Sequence, residues 1–101
     1  MYYNLRIFAV LLIMSITGCV ASLYLPTEND AQNKNTTLAK LQEGRTMYLN
    51  SCGSCHNLHL PSEYTLQEWT EVMSDMQKRA KINDTQKETI LLYLGTNSKK
   101  P

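Results

Sequence analysis

The chain has 101 residues, enough for at most one domain, and its 43% hydrophobic and 19% charged content suits a globular protein rather than a disordered one. Ten Lys+Arg against nine Asp+Glu give a formal charge of +1, which leaves no basic footprint for nucleic acid and no acidic tail. Three cysteines, an odd number, argue against a pure disulfide framework.

Residues 1–18 stand apart from the rest. Arg6 precedes an almost wholly apolar run, 7–16, broken only by Ser15. The run is about half of the ~20 apolar residues that a spanning helix needs, and its layout is that of a secretory signal. It ends in Ile16-Thr17-Gly18-Cys19, which resembles a bacterial lipobox with Ile16 where leucine is usual. That resemblance implies cleavage before Cys19, lipidation of Cys19, and a protein anchored to a membrane facing the periplasm or exterior. An ordinary secretory peptide or an uncleaved anchor are the other readings, and all three place the remaining chain outside the cytoplasm. Val20 does not decide between inner and outer membrane.

Residues 19–36 read as a flexible tether, because Pro26 is followed by polar residues with no apolar period after Leu25. Extended, such a segment reaches tens of Å. A domain is expected over residues 37–95. Its first helix is marked by Leu38, Leu41, Arg45, Tyr48, Leu49 and Cys52, with Thr36 or Thr37 as N-cap. Gly44 within it is either a close-approach point for another helix or simply a weak spot. Thr65-Leu66-Gln67-Glu68 is a capping box opening the second helix, with Tyr64 and Trp69 as its hydrophobic staple. Trp69, Val72, Met73, Met76 and Ala80 form its apolar stripe. Asn83-Asp84-Thr85-Gln86 opens a third helix that carries Ile90, Leu91, Tyr93 and Leu94 inward and stops at Gly95. Residues 96–101 are a polar tail that need not be ordered. No stretch of the domain alternates over strand length, so the expected class is all-α.

Cys52-Gly53-Ser54-Cys55-His56 is a C-x-x-C-H signature for covalent attachment of haem c. Two thiols at this spacing bond to the vinyl-derived carbons on one porphyrin edge, and the next residue offers its imidazole to the iron. Cys52 and Cys55 would form the thioethers and His56 would be the proximal ligand. A dithiol pair of the thioredoxin type needs a βαβ setting that three helices do not supply. A structural zinc site wants four ligands, and Cys52, Cys55 and His56 or His59 leave it short. Size favours haem as well, since a core of about 60 residues is marginal without a large group at its centre.

From Leu41 to Leu94 the chain resembles a small monohaem class I cytochrome c. Gly44-x-x-x-Tyr48 ahead of Cys52-x-x-Cys55-His56 is similar to that family's N-terminal helix, whose glycine and aromatic meet the C-terminal helix, here ending in Tyr93-Leu94. Trp69-x-x-Val72-x-x-x-Met76 resembles a subgroup of short bacterial members in which the methionine of the Trp-bearing helix is the distal ligand. The chain lacks the separate methionine loop of longer members. The resemblance implies a cytochrome c-like fold of about three main helices around one covalently bound haem. On the helical wheel Met76 falls mid-stripe and Met73 toward its edge, so Met76 is the expected distal ligand and Met73 the alternative. His59 is tethered to the proximal side, and Met47 precedes the motif in the first helix. Trp69 either packs on haem, donates to a propionate, or is plain core. A carbonyl near Pro61 is a candidate acceptor for the imidazole N–H, or Pro61 simply makes a turn.

No paired carboxylates or nucleophile–base arrangement point to an enzyme or a small-molecule substrate. The expected role is one-electron transfer between protein redox partners, with the chain acting alone or as the haem subunit of a larger oxidoreductase. A haem ligand-binding or sensing protein with an open distal site is the alternative, and a haem-free zinc or dithiol protein is the third reading.

Overall fold

The computed structural model describes residues 23–52 and 58–101. Among these the protein is all-α: α1 (Glu28–Asn33), α2 (Leu38–Cys52), α3 (Leu66–Ala80) and α4 (Asp84–Leu94), with a 3-10 turn at Pro61–Glu63. The last three are the helices that the sequence predicts. No described helix is long and apolar enough to cross a membrane.

Each helix start has a local cause. The Thr37 hydroxyl accepts from the Lys40 amide at 3.1 Å and opens α2. Thr65 and Glu68 complete the expected capping box of α3, and Tyr64 meets Trp69 edge-on at 5.1 Å, forming the staple. Asn83 and Gln86 do the same for α4. Helix α3 ends at Lys81, whose left-handed backbone (φ 55°) turns the chain while its amide returns to the Gln77 carbonyl. Gly95 stops α4 with a right-handed backbone, so its place does not depend on glycine's access to positive φ.

The main packing is α2 against α4, with α3 laid on α4. At Gly44, α2 and α4 approach closely. A Cβ there would lie 2.8 Å from Tyr93 Cβ and nearer still to the Thr89 carbonyl oxygen. This settles the Gly44 question in favour of close approach. One turn on, Tyr48 stacks at a tilt on Tyr93 at 6.3 Å and edge-on against Trp69 at 5.9 Å. Leu23, Tyr48, Trp69, Met73, Ile90, Tyr93 and Leu94 form the buried core.

Two segments depart from expectation. The stretch taken for a flexible tether contains α1, and Leu23 is buried in the core. Thr27 and Asp30 cap α1 reciprocally, and the Tyr24 hydroxyl donates to Asp30 Oδ2 at 2.7 Å. The Tyr24 carbonyl accepts from Tyr93 Oη at 2.6 Å and from Arg45 Nε at 3.2 Å. Backbone carbonyls that satisfy two helices hold the segment in place where apolar periodicity is missing. The polar tail is likewise docked: the Lys99 amide donates to the Tyr64 carbonyl at 2.8 Å, beside an isolated bridge to Thr65.

Candidate haem-attachment site

Gly44, Tyr48 and Cys52 recur every four residues and share one face of α2. Gly44 brings that face onto α4, Tyr48 buries its ring in the core, and Cys52 ends the helix half-buried against the same core. The next described residue, Leu58, is also half-buried on that core. Cys55 and His56 lie between them, outside the described residues, as does Cys19 near the N-terminus. The attachment motif is therefore flanked on both sides by residues packed on one core.

The return side is pinned by hydrogen bonds. The Tyr48 hydroxyl donates to the His59 carbonyl, and the Leu60 amide to the Glu63 carboxylate. Trp69 Nε1 donates to the Pro61 carbonyl at 2.8 Å, in a buried bond. The Trp69 N–H donates to backbone, and the Pro61 carbonyl that accepts it keeps a second lone pair. Its partner is α3, because the 3-10 turn places Pro61 over the first turn of that helix. At 2% exposure Trp69 is a core residue, flanked edge-on by Tyr48 and Tyr64.

On α3 the most buried line runs through Trp69 and Met73, the latter 1% exposed, whereas Val72 and Met76 are half-buried. This differs from the wheel, which centred the stripe on Met76. Met73 belongs to the core cluster, and Met76 does not. Met47 is half-buried against the core, in line with a packing role. His59 is exposed, 3.4 Å from Glu63.

Burial sets the titration of the aromatics. It pushes the Tyr48 hydroxyl well above the ordinary tyrosine range, with smaller contributions from Cys52 and Glu63 nearby. Tyr93 is pushed up to about 12, again by burial, with Arg45 pulling the other way. Glu63 is lowered by the Leu60 amide first, and by His59 as well.

Among the described residues no cluster of His, Cys, Asp and Glu could hold a metal ion. The donor set instead suits a covalent porphyrin: two thiols and an adjacent imidazole in the sequence, and thioethers on α3. Around the core, Leu49, Leu58, Val72, Ile82 and Leu91 are packed on it yet only partly covered. Apolar surface of this kind is what a flat macrocycle would complete.

A family model described as dihaem cytochrome c matches residues 48–101, more than half of the chain and the whole stretch from Tyr48 through the C-x-x-C-H motif. No curated protein and no solved structure matches the chain significantly.

Proposed function

The chain belongs to the dihaem cytochrome c family, and we propose that it is an extracytoplasmic, lipid-anchored one-electron carrier holding a single haem c. Family membership makes it a c-type cytochrome and sets aside the zinc and dithiol readings. The observation that carries the finer reading is Cys52-Gly53-Ser54-Cys55-His56, the one C-x-x-C-H motif within these 101 residues. The family's name counts two haems. Here the third cysteine, Cys19, stands far from any such motif, which supports one haem per copy of this chain.

In this reading Cys52 and Cys55 form the thioethers, and His56 supplies the proximal nitrogen. Met76 is the distal ligand, with Met73 the alternative. Met73 packs in the protein's own core with Trp69, whereas Met76, one turn beyond Val72, is only partly buried and outside that core cluster. A sulfur outside the core cluster remains available to a cofactor, which supports Met76 over Met73. When bound, haem c supplies a one-electron ferric–ferrous couple, which a methionine sulfur biases toward the ferrous state. The residues hold and orient the group, and their packing limits rearrangement between oxidation states. Docking to redox partners would be brief and small in area.

The test is pyridine haemochrome absorbance and intact mass of the secreted protein. One haem bound through two thioethers is expected, with Cys55→Ala leaving at most one and little folded protein. A wild-type protein without covalent haem, or a Cys55→Ala variant that keeps two thioethers, would refute the assignment.

A further inference from the structure

The docked N-terminal segment changes what a lipid on Cys19 would do. A free tether over residues 19–36 would let the domain stand off by about 60 Å. Instead the first described residue, Leu23, is 4% exposed in the core. Its carbonyl and that of Tyr24 accept from Arg45, and Tyr24 also accepts from Tyr93. Residues 20–22 alone separate Cys19 from Leu23, and four residue steps span at most about 14 Å. That reach is less than the diameter of the domain it would carry.

Leu25 lies two residues beyond Leu23 and is 67% exposed, the most exposed large apolar side chain among the described residues. Its neighbours explain why it stays outside. Leu23 and Tyr24 take the inward positions, Pro26 is buried, and the Thr27–Asp30 capping box then starts α1. An exposed leucine on a fixed strap, within a few residues of an acyl chain, suits the apolar–polar boundary of a bilayer.

We propose that the lipid surface is the occupant of this face. The domain is held directly against the bilayer through the Leu23–Leu25 strap, in a fixed orientation, with Leu25 seated in the interfacial layer. This rests on the lipoprotein reading of Cys19. The consequence is that the haem plane takes a set angle to the membrane instead of sampling all angles.

The experiment is linear dichroism of the haem Soret band for the full lipid-bearing holoprotein in oriented multilayers of phosphatidylethanolamine and phosphatidylglycerol, with mass spectrometry of the same sample. Clear dichroism is expected, falling to the isotropic value when a long Gly-Ser linker is inserted between Val20 and Ala21, ahead of Leu23. Leu25→Glu, at an exposed site, should weaken it without changing the haem spectrum. Lipid-bearing protein that shows no dichroism would overturn the docking while leaving the anchor intact. Dichroism that survives the linker, or that is undiminished in Leu25→Glu, would overturn the role of the strap. A protein whose mass shows no lipid would overturn the anchor and the docking together.

Discussion

Gly44→Ala tests the contact on which the helix pairing depends. The new methyl would sit 2.8 Å from Tyr93 Cβ, about 0.7 Å inside an ordinary carbon–carbon contact of ~3.5 Å, with the Thr89 carbonyl oxygen closer still. Neither neighbour can turn away, since one is helix backbone and the other a Cβ. Helices α2 and α4 must therefore separate. Overpacking of this kind costs about 1–3 kcal/mol, and its upper part applies when backbone is struck. Alanine's better helix propensity returns about 1 kcal/mol. The net expectation is about 1–2 kcal/mol of lost stability, a fall in Tm of about 4–16 °C for a domain of this size. Gly95→Ala is the control, because the added Cβ meets only the ends of the Lys34 and Leu66 side chains and a carbonyl, at 3.2–3.3 Å. It should stay within about 0.5 kcal/mol of the parent. Urea titration of the holoprotein by far-ultraviolet circular dichroism reads both. A Gly44→Ala protein as stable as the parent would refute the close-packing argument.

Met76→Ala should remove the near-infrared band of methionine-ligated ferric haem and admit carbon monoxide to the reduced protein. Met73→Ala should keep the band and lose about 2–5 kcal/mol of stability through the cavity left in the core; the reverse pattern would exchange the two roles. Trp69→Phe leaves the buried Pro61 carbonyl without its donor and should cost about 1–3 kcal/mol, read as a lower urea midpoint at unchanged slope; an unchanged midpoint would show that the bond is dispensable. The folded protein holds the Tyr93 proton up to about 12, whereas the unfolded chain releases it near 10. This contribution is therefore complete below pH 10 and lost as pH rises toward 12, and a smaller alkaline loss in Tyr93→Phe is expected from pH-dependent urea midpoints.

What could be read in advance was what is local. Thr65-x-x-Glu68 and Asn83-x-x-Gln86 mark helix starts because the bonds they make span three residues, and the structure places them there. The family resemblance of Gly44 and Tyr48 also foretold the α2–α4 contact. Leu23 gave no such sign. Its burial depends on Arg45 and Tyr93, far along the chain, reaching the carbonyls beside it. A signal did exist in Thr27-x-x-Asp30, a capping box with aspartate at the third position, short of an apolar run to follow. The tail was hidden for a similar reason, since Lys99 docks through its backbone and not through its side chain. Met73 and Met76 lie three positions apart, and only tertiary packing decides which of them the core covers.

The bond from the Tyr48 hydroxyl to the His59 carbonyl closes the chain into a ring of a dozen residues that contains the whole attachment motif. With Tyr48 sunk in the core at 3% exposure, the bond holds the two ends of this segment together. Any motion that draws Tyr48 out of the core must therefore break this bond as well, so both flanks of the motif come loose together.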